Sequence, residues 1–126
     1  QGFRRLVEMG IVDSVLENRT DEDLHALDQF NDKMQGTSDV SEAARFDYLF
    51  HLQLVIISGN STTLDVYRFL EPIIRRLLEN GKSGQRIRVD IGGEHRDLIN
   101  AIRARDKYGY LYHMDRHLKS GLKFIT

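Results

Sequence analysis

The chain has 126 residues, 40% of them apolar and 29% charged, with one Pro and ten Gly, which is the composition of one packed domain and excludes a disordered segment. Eighteen basic against nineteen acidic side chains leave a formal charge of -1, so no summed field is available to hold a polyanion by counterion release. The sequence has no Cys, which excludes disulfides, thiolate nucleophiles and Cys-based zinc sites, fits a reducing, cytoplasmic setting, and leaves His, Asp and Glu as metal ligands.

No apolar run approaches the roughly 20 residues that span a bilayer, and the N-terminus lacks the charged, apolar and cleavage regions of a signal peptide. The chain opens on Gln1 and is expected to be a segment of a longer protein.

From Phe3 to Leu16, apolar residues recur at helical offsets over more than one face, which predicts a helix buried on several sides despite the cost of Gly10. Thr20, followed by Asp21, Glu22 and Asp23, is an N-terminal signal for a second helix reaching about Gln35 and stopping at Gly36. Ser38 and Asp39 offer the next cap, before the most apolar segment, Ala43 to Ile57, which reads as a central helix ending near Gly59. Asn60, Ser61 and Thr62 cap a fourth helix. Its Val66, Tyr67, Leu70, Ile73, Ile74, Leu77 and Leu78 follow helical spacing, with Pro72 predicted to kink it.

Residues 80–84 have turn composition, and Gln85 to Glu94 reads either as an extended connection or as the irregular start of the next helix; it is taken as loop, its Gly92-Gly93 pair marking a turn. Leu98, Ile99, Ala101 and Ile102 mark a fifth helix broken near Asp106, and Tyr110, Leu111, Met114 and Leu118 line one face of a sixth. Six helices without a strand pattern predict an all-α, antiparallel bundle of six or seven helices.

His occurs at positions 25, 51, 95, 113 and 117. Asp47 and His51 are four apart on the central helix, so both lie on one face and can bind one ion; a helix-surface hydrogen bond is the commoner reason for such a pair standing alone. His113 and His117 repeat this spacing, and His95 opens the fifth helix, so three helices can supply imidazole to one cavity. At 100° per residue the core stripe of the last helix lies nearer His117 than His113 by about 40°. His113 is thus expected at the rim and His25 in solvent. Imidazole and carboxylate suit zinc, nickel, iron or manganese, with zinc or nickel favoured. Neither an HExxH nor a P-loop pattern is present.

The run Phe46-Asp47-Tyr48-Leu49-Phe50-His51, with Ile57-Ser58-Gly59-Asn60, resembles the D-x-x-F-H and S-G-N landmarks of the FCD-type domain, the C-terminal effector domain of FadR-like GntR-family transcriptional regulators. Glu94-His95-Arg96-Asp97-Leu98-Ile99-Asn100-Ala101-Ile102, then Asp106 and Met114-Asp115-Arg116-His117-Leu118, resembles that family's second block, and Arg4 and Glu8 its first-helix R-x-x-x-E. The resemblance implies a bundle with a central metal and ligand cavity, the metal held by Asp47, His51, His95 and His117. It implies a small carboxylic acid at the metal, with Arg4 as its anchor; the planar guanidinium suits a carboxylate. Asn100 and His113 are candidates for the rim or the layer around the ligands. A winged helix-turn-helix domain is expected upstream, outside this chain, as is a homodimer reading DNA through that domain.

Two other readings compete. A metal-dependent, hydrolase-like enzyme needs a general base near metal-bound water, for which Glu94 beside His95 is the candidate. A metal-free helical interaction module treats all five His as incidental.

Overall fold

The helix Val40–Ser58 is the axis around which the others assemble, and the structure, a computed structural model, describes residues 2–80, 82 and 84–122, without the side chains of Gln85, Gly121 and Leu122. In chain order the described helices are α1 (Gly2–Gly10), α2 (Val12–Asn18), α3 (Asp21–Gly36), α4 (Val40–Ser58), α5 (Ser61–Phe69), α6 (Glu71–Glu79), α7 (Gln85–Arg103) and α8 (Lys107–Leu122). No strand occurs among the described residues. The expected all-α bundle is therefore the observed architecture, built from eight helices.

The central helix α4 packs against α1, α2, α3, α5 and α6, while α7 lies on α2, α3 and α8. Its burial explains its composition: Ala43, Ala44, Tyr48, Phe50, Leu52, Leu54, Val55 and Ile57 are all in the core. Each fully buried Leu among the core residues contributes about 1.5–3 kcal/mol relative to an exposed one. Asp39 caps its start by accepting from the Glu42 N–H at 3.1 Å. Gly59 ends it in the left-handed region, at φ 76, which glycine enters without steric cost. The expected cap of α3 is present as a reciprocal pair: Thr20 Oγ1 accepts from the Asp23 N–H, and Asp23 Oδ2 from the Thr20 N–H.

Three expectations are corrected. The first segment is two helices meeting at Ile11, directly after Gly10, the residue least suited to a helix interior there. The fourth segment is also two, because Pro72 starts α6 instead of kinking a continuous helix: its ring and missing N–H are tolerated in a first turn and not in a helix interior. The break at Leu70 resets the helical faces, so Tyr67, Ile74 and Leu78 are buried while Val66 and Ile73 are exposed.

The third correction concerns Gln85 to Gly93, which is the first half of α7 and not a loop. Gly92 is a packing residue: a Cβ there would fall on the Gln35 side chain, and its carbonyl accepts from Asn31 Nδ2 at 3.0 Å. Close approach of α3 to α7, and not a turn, is what this glycine permits. Of the predicted turn before it, Gly81 and Ser83 lie outside the described residues.

Polar anchors fix the outer helices. Arg19 donates to the carbonyls of Ile102 at 2.9 Å and Arg103 at 2.8 Å, closing the C-terminal end of α7. Tyr110 donates to the Glu8 carbonyl at 2.7 Å, tying α8 to α1. Asp106 starts α8 by accepting from the Gly109 N–H at 2.9 Å. No described helix is long and apolar enough to cross a membrane.

Candidate metal centre

The core of this bundle is not wholly apolar. Asp47, His51, His95 and His117 are buried together, and each offers one ligand atom, all within 4.8 Å of one another. Two come from one face of α4, one from α7 and one from α8. Asp47 Oδ1 stands 3.1 Å from Nε2 of both His51 and His95, and His51 Nε2 stands 3.1 Å from His117 Nε2. This spacing is on the scale set by metal–nitrogen and metal–oxygen bonds of about 2.1 Å.

The outward nitrogen of each ring is committed to an acceptor. His51 Nδ1 is bonded to Glu8 Oε1, His95 Nδ1 to Asn31 Oδ1 at 2.9 Å, and His117 Nδ1 to Glu94 Oε1 at 2.7 Å. Asn31 is oriented by donating its Nδ2 to the Gly92 carbonyl. Carboxylate and amide oxygens accept hydrogen bonds, so in each neutral ring the proton sits on Nδ1 and the Nε2 lone pair faces the cluster. Phe50 stacks on the His95 ring at 4.0 Å and fixes its plane.

Two of the inward atoms lack partners, and the other two, Nε2 of His51 and of His117, pair with each other. Asp47 Oδ1 and His95 Nε2 are buried without a hydrogen bond, a costly state for polar groups removed from water. Three imidazoles and one carboxylate converging on one point, two of their four inward atoms orphaned, are the donor set of a first-row divalent ion, so the residues present fit such an ion.

Charge follows the same geometry. Burial works against the charge of Asp47, but the Lys82 ammonium, 2.7 Å from Oδ2, together with the His95 and His51 rings outweighs burial and holds the carboxyl well below the usual range. Glu8 is likewise taken from water, yet His51 and Arg4 bring it down to about 2. Burial pushes His95 down to about 3 and also lowers His117, so both rings favour the neutral form that binds metals. His51 is raised against the effect of burial by the Glu8 carboxylate.

Arg4 lies on α1 beside this cluster. It is buried; Nε donates to Glu8 Oε2 at 3.0 Å, while Nη2 is buried without a partner. The pairing with Glu8 inside its own helix thus coexists with one free arm of the guanidinium.

The other candidates are placed apart. His113 is half-buried, 3.9 Å from Asp97, in a surface cleft lined by Glu94, Asp97, His113 and Arg116. Asn100 is exposed and accepts from Arg103, so it is not brought to the cluster; Asn31 supports His95 instead. His25 is exposed. Sequence reasoning missed Asn31 and Lys82, and it gave Glu8 no role at His51. These partners are 64, 35 and 43 residues from the groups they hold, and no local spacing signals such contacts.

The family model of the FCD domain matches residues 2–120 of the chain. No curated protein matches it.

Proposed function

The chain belongs to the FCD family, the effector-binding C-terminal domain of GntR-family regulators, and from that premise we propose that it senses a small organic acid beside a divalent metal ion. Asp47, His51, His95 and His117 are the residues that would hold the ion. Zinc is the favoured identity, with nickel, iron and manganese as alternatives. When bound, the ion supplies a Lewis-acid docking point for an effector oxygen.

The residues supply everything else. The Nδ1 partners Glu8, Asn31 and Glu94 hold the rings in one tautomer and orientation. The free Nη2 of Arg4 is a charge-assisted donor awaiting an acceptor, which is what a carboxylate provides. The observation that carries this reading is the convergence of four buried ligand atoms, two of them orphaned, from three helices.

Signal transmission follows from the same placement. An effector seated between α1 and the cluster changes how α1 packs on α4 and α8, and a 10- to 100-fold effect on operator binding requires about 1.4–2.8 kcal/mol of coupling. The proposed output is DNA binding in the cytoplasm by an upstream winged helix-turn-helix domain, read as a homodimer on two half-sites.

FCD domains are regulatory and not catalytic, and one contact here weakens the enzyme alternative further. Glu94, its candidate general base, accepts from His117 Nδ1 and so acts as a support of that ring. The test is a thermal-shift panel of hydroxy, keto, dicarboxylic and sugar acids on the metal-loaded and metal-free chain. One class is expected to raise the melting temperature of the loaded form alone; equal shifts of both forms would detach the acid site from the metal.

A further inference from the structure

Lys82, in the connection between α6 and α7, is a buried cation to which the reading above gives no role. Its side chain is 3% exposed, with Nζ 2.7 Å from Asp47 Oδ2, and it donates to the Leu78 carbonyl at 3.1 Å. The main chain at Lys82 is held as well: its N–H donates to the Glu79 carbonyl at 3.1 Å, and its carbonyl accepts from Arg88 Nη1 at 2.8 Å. An ammonium removed from water is expensive to place, so a buried Lys gripped at three points marks a position with a consequence.

The two oxygens of Asp47 are made unequal by this contact. Oδ2 is taken by Lys82, whereas Oδ1 faces His51 and His95 without a hydrogen bond. A carboxylate pinned in this way has one oxygen to offer an ion. Zinc is held by four donors and can expand to take a fifth, but manganese seeks an octahedral, oxygen-rich shell, and hard ions commonly gain an oxygen by taking a carboxylate through both.

We propose that Lys82 sets the metal preference of the site, by restricting Asp47 to one ligating oxygen and so favouring zinc over manganese. The inference rests on the metal reading above. Repulsion between the ammonium and the ion weakens binding of any dication to a similar degree, so the ratio of two affinities isolates the positioning effect from simple charge.

The test compares dissociation constants for zinc and for manganese, each titrated alone into metal-free chain, in the wild type, Lys82→Met and Lys82→Gln. Both substitutions remove the ammonium, and Gln keeps a polar side chain should the Met variant fail to fold. The manganese-to-zinc ratio of dissociation constants is expected to fall about tenfold, at the lower end of what groups surrounding the ligands do to metal affinity. An unchanged ratio in the folded variants would overturn the inference and leave Lys82 a structural ion pair. A wild type that binds neither ion at one per chain would instead overturn the metal reading itself, so the two failures are told apart.

Discussion

Arg4 and His51 are joined through opposite oxygens of one buried carboxylate: Glu8 Oε2 accepts from Arg4 Nε at 3.0 Å, and Glu8 Oε1 from His51 Nδ1. Tyr67 completes the group with its hydroxyl 3.3 Å from Oε2. The proposed effector anchor and a proposed metal ligand therefore share one buried partner. Any effector that draws Arg4 away from Glu8 alters the support of His51, and linkage makes the influence reciprocal.

Glu8→Gln preserves the shape of that partner and removes its charge. The substitution is expected to lower metal affinity about 10- to 100-fold through His51, and to destabilise the chain by about 3–5 kcal/mol because Arg4 is left as an uncompensated buried charge. Metal titration and urea midpoints measure the two effects separately. Loss of stability with unchanged metal affinity would make Glu8 a partner of Arg4 alone.

His51→Ala and His117→Ala are expected to reduce metal content and to abolish the metal-dependent part of the melting temperature, since metal binding is coupled to folding. His25→Ala, at an exposed position of α3, should do neither. Similar outcomes for all three would dissolve the site as drawn.

The legible and illegible parts of this site divide by sequence distance. Asp47 and His51 were readable because four residues on a helix is one turn, and the predicted core stripe of the last helix aimed His117 inward, where it is buried. Asn31 and Lys82 were not readable, because their partners His95 and Asp47 lie on other helices and a polar residue on α3 or in a glycine-bearing connection looks like a solvated one. The fold shows the same division. The capped start of α3 and the apolar run of α4 are plain in the sequence, whereas the Gly92-Gly93 pair has the composition of a turn. Only the packed structure reveals that Gly92 makes room for Gln35.

Arg4→Lys keeps a cation beside Glu8 but gives up the second arm of the planar fork. Metal content should be unchanged, while affinity for a stabilising carboxylate falls about tenfold, near the lower end for a lost hydrogen bond to a charged group. Calorimetric titration of the acid into metal-loaded chain reads this directly. Equal affinity in both proteins would remove Arg4 as the anchor.

The metal-free chain should lose stability on acidification below about pH 6.5. His95, with its pKa near 3 in the folded state, and His117, also lowered, stay neutral where the unfolded chain takes up protons at the ordinary value of 6.5. The unfolded state then binds more protons, so stability falls with pH by up to about 1.4 kcal/mol per unit for each ring. Glu8 and Asp47 add to the loss below their usual carboxylate range, since both are depressed in the fold. His51 acts in the opposite sense: its raised value contributes stability that is full below 6.5 and is lost as pH rises through the folded value. Urea midpoints at pH 7.5, 6.5 and 5.5 measure the slope, and His95→Ala should flatten its acidic side.

The central claim is that Asp47, His51, His95 and His117 hold one structural and effector-docking ion, and elemental analysis of the purified chain, paired with melting before and after chelation, tests it most directly. The account predicts one divalent ion per chain, whose removal lowers the melting temperature and whose return restores it. A chain that takes up no ion at any loading, and melts at the same temperature with and without chelator, would contradict it.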